Sequence, residues 1–225
     1  MKIVYLITGM LLFIVHFTYA QINDITTRYF FTTNDYLNDS LSESEVILVV
    51  NEIGDDYISV KNVLEKNTRK HSKNGARAWA IEYNGKAYLN LMYSSNTNVP
   101  QFYVMLDIKG KYCLAIMGQE FLESLKKASP NLVMPGLIGS AAMTASESWG
   151  ANFADSTGAL KKVLVVDTRE ILDISKNSPG EFLNRSKLKW FLGQKQLEGK
   201  LDEYSVEDIL ARAEELNGQN KSSGE

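Results

Sequence analysis

The apolar residues of this chain fall mostly into short runs with β-branched and aromatic members, separated by turn-forming residues. Thr27-Arg28-Tyr29-Phe30-Phe31-Thr32 reads as a strand, and Val46-Ile47-Leu48-Val49-Val50 as a short apolar strand buried on both faces. Between them, Thr33-Asn34-Asp35-Tyr36-Leu37-Asn38-Asp39-Ser40 predicts one capped helical turn, with Thr33 or Asn34 as the cap. Residues 65–75 are polar, basic and glycine-terminated, which predicts a surface loop.

Arg77–Tyr83 and Lys86–Met92 flank Asn84-Gly85, the pair best suited to a two-residue hairpin because both central residues need positive φ. The turn dictates a register: Tyr83 opposite Lys86, Ile81 opposite Tyr88, Trp79 opposite Asn90. The other face pairs Ala80 with Leu89 and Ala78 with Leu91, small against large, as on a core-facing side. The Trp79, Ile81, Tyr83 and Tyr88 side is expected to be half-exposed or covered by another element. A second hairpin is predicted from Phe102–Asp107 and Lys111–Met117 around Lys109-Gly110, pairing Leu106 with Cys113, Val104 with Ala115 and Phe102 with Met117 on one face, and Met105 with Leu114 and Tyr103 with Ile116 on the other. Both of its faces are apolar, so its strands should lie centrally.

Leu160–Asp167 resumes the strand pattern, Ile171–Ile174 adds a short one, and Pro179-Gly180 breaks the chain. The remainder is helical: Lys187–Gln196 carries a stripe at Leu188, Phe191 and Leu192. Ser205 opens a last helix with Asp208 in the capping-box position and Tyr204 and Ile209 as a hydrophobic staple. Asn217-Gly218 stops it, leaving residues 218–225 as a polar tail expected to be disordered. The expected fold is α+β: a curved antiparallel β-sheet built as a meander of hairpins, with helices at the C-terminal end.

The first twenty residues change the picture of where this domain works. Lys2, an uncharged and mostly apolar stretch to about Phe17, and small residues at Thr18 and Ala20 have the layout of a secretory signal. Its core is shorter than the roughly 20 apolar residues of a membrane span, so cleavage after Ala20 is expected. The organisation is then a signal peptide at 1–20, one α+β domain at 21–217 and the tail. The destination is the periplasm or the extracellular medium.

Charge and composition narrow the function. The chain has 24 Lys+Arg against 27 Asp+Glu, with no basic block to capture nucleic acid. Cys113 is the one cysteine, so no intrachain disulfide can form. Outside the leader, His71 and Cys113 are the whole supply of imidazole and thiol, too few for a zinc site, and no calcium-loop or dinucleotide motif occurs. No metal and no cofactor is expected. Asn51–Asp56 reads as a solvated acidic turn.

Nucleophilic chemistry fares no better. Cys113 lies in an apolar strand and His71 among Arg69, Lys70 and Lys73, neither a setting for a reactive pair. Ser124-x-x-Lys127 and Ser186-x-x-Lys189 lack the partner motifs of serine acyltransferases, and Asp155-Ser156-Thr157-Gly158 is a single turn where an aspartic protease needs two. A carboxylate pair acting on glycans or peptides stays open, because spacing along a chain does not identify it.

Recognition is the reading left. Eleven Tyr and three Trp, several of them between residues 79 and 112, can serve either as sheet cover or as a ligand surface. Trp79, Ile81, Tyr83 and Tyr88 are the candidate ligand or partner surface. Residues 128–146 carry no charge until Glu147, and Gly136, Ser140 and Thr144 recur every fourth position. That stretch is expected to be a tightly packed connection, with membrane contact through 132–145 as the alternative.

The run Tyr29–Leu41 (YFFTTNDYLNDSL), the hairpin from Trp79 to Asn90 and the small residues of Gly136–Ala142 resemble uncharacterised secreted proteins common in Bacteroidetes. The resemblance covers about residues 27–175. It implies a β-rich protein of the cell envelope or medium and no particular activity. The expected function is therefore a non-catalytic exported protein that binds an envelope partner or a small apolar ligand.

Overall fold

The computed structural model describes residues 24–91, 101–128, 151–168, 181–183, 185–193 and 204–218. The expected signal at 1–20, the helix-like stretch 132–145, the strand at 171–174 and the tail beyond 218 lie outside the described residues.

Seven strands form one antiparallel sheet: β1 (Asp24–Thr27), β2 (Tyr29–Phe30), β3 (Val46–Ile53), β4 (Tyr57–Glu65), β5 (Ala80–Tyr83), β6 (Lys86–Asn90) and β7 (Gln101–Met105). Their order is β1-β3-β4-β7-β6-β5-β2. The two outermost positions belong to one stretch of chain, since β1 and β2 are separated only by Arg28. Before Arg28 the chain pairs with β3; after it, the chain pairs with β5. Thr27 Oγ1 donates to the Glu82 carbonyl at this crossing, and Glu82 N donates to the Arg28 carbonyl at 3.1 Å. The sheet is thereby curled until it nearly closes, and two register shifts in β3–β4, near Val49 and Val50, supply local bending.

Val46, Leu48, Ile58, Val60, Ile81 and Tyr103 line the inside of this curl. They alternate with outward residues along each strand, as a two-residue period requires. Helix α1 (Thr33–Leu37) follows β2 directly; its cap is Thr32, one residue earlier than the composition suggested. Thr32 Oγ1 accepts from Asp35 N and Asp35 Oδ2 accepts from Thr32 N, so both partners of the box are present. A short helix α2 (Lys73–Ala76), capped by Ser72, lies within what reads as a loop. Strand β4 has no counterpart in the expected elements, although Tyr57-Ile58-Ser59-Val60 carries the β-branched signature.

A second sheet, β8 (Tyr112–Met117), β9 (Ala151–Ala154), β10 (Leu160–Asp167) and β11 (Glu181–Phe182), packs against the first. This overturns the second expected hairpin. β7 pairs with β4 and β6, and β8 pairs with β10. Tyr103 and Leu114, from the face expected to pair Met105 with Leu114 and Tyr103 with Ile116, fall in separate cores, whereas Phe102, Val104 and Leu106 share one buried cluster with Cys113, Ala115 and Met117. They face each other across two layers instead of lying side by side on one ladder. Strands with two apolar faces gain more by standing between layers than by sharing a hairpin, which would leave one face of each sheet uncovered.

Helix α3 (Gln119–Ala128) seals one side of this interlayer core: Phe121 meets Tyr57 and Phe102 edge-on at centroid separations of 5.4 and 5.9 Å. The outer face of β8 and β10 is covered by α4 (Arg185–Phe191) and α5 (Val206–Gly218), through Leu188, Phe191, Ile209 and Ala213. Helices therefore gather at the C-terminal end of an α+β fold whose sheets are antiparallel. Tyr204 packs with Ile209 in that cluster, and Ser205 and Asp208 make the capping box. Gly218, expected to begin the tail, is the last residue of α5.

Among the described residues β8 has no strand on its other edge, and carboxylates take its place. Asp107 N donates to the Leu114 carbonyl at 2.8 Å, and Asp107 Oδ2 accepts from Ile116 N at 3.1 Å. Asp56 Oδ2 accepts from Gly118 N at 2.8 Å. An edge capped in this way offers less to a foreign strand, and it orients Asp107 where the chain passes between the sheets.

Candidate functional site

The hairpin at Asn84-Gly85 has the register its turn dictates, Tyr83 with Lys86, Ile81 with Tyr88 and Ala80 with Leu89, but the ladder stops there, and the expected pair Ala78 and Leu91 divides between two cores. Asn84 and Gly85 have φ of 52° and 71°, the left-handed pair of the expected turn. What differs is the fate of the aromatic side. Ile81 and Tyr88 point into the curl with Tyr29 and Tyr103 and are 0% and 6% exposed. Tyr83 is half-buried at the same end, its ring 6.1 Å from that of Tyr88.

Trp79 leaves this set. It sits in a bend before β5, so strict alternation begins only at Ala80, and Trp79 joins Ala80 and Leu89 in the interlayer core. Its ring lies 5.0 Å from that of Tyr36. Trp79, Ile81, Tyr83 and Tyr88 thus do not form one open surface: three are buried and they divide between two cores. The covering element is the N-terminal stretch β1–β2 together with the sheet's own curl.

Shifting by one residue along the hairpin reaches the other face, and there a cleft of about 380 Å³ opens. Its floor is apolar, made by Phe30, Tyr36, Ala87 and Leu106. Glu82 and Lys86 rise from the hairpin on one side, Asp39 from the end of α1, and Asp107 and Lys109 from the passage between the sheets. Three carboxylates and two ammonium groups therefore ring an apolar floor. The volume falls within the range of small-molecule sites, and the lining is more heavily charged than is usual for them.

The charges are not equivalent. Lys109 Nζ is paired with Asp39 Oδ1 at 2.5 Å and lies 5.1 Å from the centre of the Tyr36 ring. Lys86 Nζ rests 3.3 Å from Met105 Sδ. Burial lifts the Asp107 carboxyl above the ordinary aspartate range; the nearby Asp56 adds to this, while the Ile116 N–H and Lys86 oppose it. Asp107 is exposed as a residue, and its carboxylate reaches back to Ile116 N on the edge of β8. Tyr36 is buried under Lys109, and its phenol is raised chiefly by desolvation.

None of these residues was singled out by sequence pattern, because the cleft joins α1, a hairpin and an intersheet passage that lie far apart in the chain. One local signal existed: Glu82 stands opposite the small Ala87 on one face of a hairpin whose register is dictated by its turn.

The other residues with chemical possibilities are placed in structural roles. Cys113 is fully buried in the interlayer core and its thiol is pushed up to about 11 by burial, whereas His71 is exposed and bridges Leu64 at the end of β4. The two do not make a reactive pair. Ser124 donates to Glu52 Oε2 at 2.5 Å, and beside it burial pushes the Tyr57 phenol up to about 12. Asp155 folds its own turn, with Oδ1 accepting from Thr157 N, Thr157 Oγ1 and Ala159 N at 2.9, 2.6 and 3.0 Å. Its carboxyl is held below the usual range, first by the Thr157 hydroxyl. The expected acidic turn Asn51–Asp56 is half strand, since Asn51–Ile53 end β3, and Asp56 is committed to the edge of β8. Among the described residues no group of three or more His, Cys, Asp or Glu side chains is placed to hold a metal ion.

Compared with protein-family models, with curated proteins and with solved structures, the chain finds no match. What it can bind must be argued from the cleft itself.

Proposed function

We propose that this chain is an exported, non-catalytic binding protein of the cell envelope or the surrounding medium, with its ligand site in the cleft between α1, the β5–β6 hairpin and the β7–β8 passage. The observation that carries the reading is the cleft of about 380 Å³, apolar on its floor and charged on its rim. Export rests on the leader-like residues 1–20, and the resemblance to secreted Bacteroidetes proteins points the same way. The ligand site therefore differs from the aromatic set the sequence suggested: the hairpin is retained, but its opposite face is used.

The test is a thermal-shift screen of residues 21–225 against small amphiphiles, glycans and lipids, run beside Ala87→Trp. That substitution fills the cleft from a strand position whose side chain is already half-exposed. At least one class should raise the melting temperature of the parent and not of the variant. No shift with any class, or equal shifts in both proteins, overturns the site.

A hydrolase using paired carboxylates is the second reading, favoured by Asp39, Glu82 and Asp107 lining one cleft with Asp107 shifted upward. Turnover of glycan or peptide substrates that disappears in Asp107→Asn would replace binding by catalysis. Attachment to a membrane through residues 132–145, a stretch outside the described residues, is the third reading. Resistance of the cleaved protein to carbonate extraction would argue for attachment, and release by osmotic shock against it.

A further inference from the structure

We infer, on the reading of the cleft as a ligand site, that its ligand is a small organic cation with an apolar body, such as an arylalkylamine. Three carboxylates face two ammonium groups around the cleft, and the Lys109–Asp39 pair cancels one of each. That leaves Glu82 and Asp107 opposed by Lys86 alone. Among the described residues neither Glu82 nor Asp107 takes part in an ion pair.

Asp107 is the more telling of the two. Its carboxyl is desolvated against the edge of β8, with one backbone N–H at 3.1 Å and a second carboxylate, Asp56, acting on it. With Asp56 repelling it and Lys86 as its counter-charge, Asp107 would gain further from a cation bound in the cleft. The aromatic wall suits the same charge: Tyr36 already carries the Lys109 ammonium over its ring at 5.1 Å, within the range of cation–π attraction. Phe30, Ala87 and Leu106 then receive the apolar body. An anion of the same shape would meet the excess carboxylates, and a neutral one would give Asp107 no added counter-charge.

Three probes of one shape separate the possibilities: phenethylamine, phenethyl alcohol and 3-phenylpropionate, titrated calorimetrically into residues 21–225. The amine should bind most tightly. Glu82→Gln and Asp107→Asn should each weaken it by about tenfold, the scale of one lost charge-assisted contact, and Lys86→Met should tighten it. Asn at 107 can still accept from Ile116 N, and Glu82 stands clear of that edge, so the two variants do not share a folding risk. Equal or tighter binding of the alcohol or the carboxylate keeps the cleft as a ligand site and overturns the preference for a cation. No binding by any of the three probes overturns the inference together with the reading beneath it.

Discussion

Cys113 shows how much a residue's neighbours decide about its chemistry. Its thiol is fully buried between the two sheets, donates to the Gly110 carbonyl at 3.4 Å and is pushed up to about 11. Relative to an ordinary thiol near 8.5, that leaves roughly two to three hundredfold less thiolate at pH 8 and below. Iodoacetamide at pH 8 should therefore alkylate the folded protein at least about a hundredfold more slowly than the chain unfolded in guanidinium. Comparable rates would return Cys113 to the list of reactive groups and reopen the case for catalysis. His71 offers no help from its exposed place at the end of β4. Sequence already suggested both roles, because a cysteine in a continuous apolar run and a histidine among cations have opposite surroundings.

At the scale of elements, one side chain adds two hydrogen bonds to the apolar contact between α5 and β8. Asn217 Nδ2 donates to the Tyr112 carbonyl at 3.0 Å and its Oδ1 accepts from Tyr112 N at 2.9 Å, as a neighbouring strand would do. Gly110 has no side chain at this point, where a Cβ would come within 2.5 Å of the Asn217 amide. Asn217→Ala removes both hydrogen bonds, at about 1 kcal/mol net each, so a loss of about 2 kcal/mol is expected in guanidinium unfolding. Asn217→Asp keeps the acceptor and should lose about half as much. No change in the midpoint for either variant would show that the helix is held by Ile209 and Ala213 alone. As a sequence feature Asn217-Gly218 reads only as a helix stop; its partner lies 105 residues earlier, and no local pattern reveals it.

For the whole molecule, the interlayer core is the decisive feature, since it is shared by the curled sheet, the second sheet and α3. Phe102, 1% exposed, stands in that core on β7 against Phe121 of α3. Phe102→Ala should cost about 3–5 kcal/mol through lost burial and the cavity left behind. Because both sheets lean on the same side chains, unfolding should remain one cooperative step, with tryptophan fluorescence and far-UV circular dichroism giving coincident curves. Two separated transitions would mean that the sheets are independent bodies, and the cleft between α1, the hairpin and the intersheet passage would then not be a fixed site.

Local sequence was enough to determine the Asn84-Gly85 hairpin and its register, the strand Leu160–Asp167, the capped final helix and the α+β class, because turn chemistry, capping and apolar period act over a few residues. It was not enough for β7 and β8, whose expected hairpin does not form. Tertiary structure alone decided that they meet across two layers, that a bend turns Trp79 to the opposite side from Ile81, and that Arg28 lets one stretch of chain pair with both edges of a sheet. The cleft belongs to this second group. Phe30, Tyr36, Glu82, Ala87 and Asp107 are ordinary residues where they stand in the chain, and only the curl of the sheet and the closing of its layers bring them around one space.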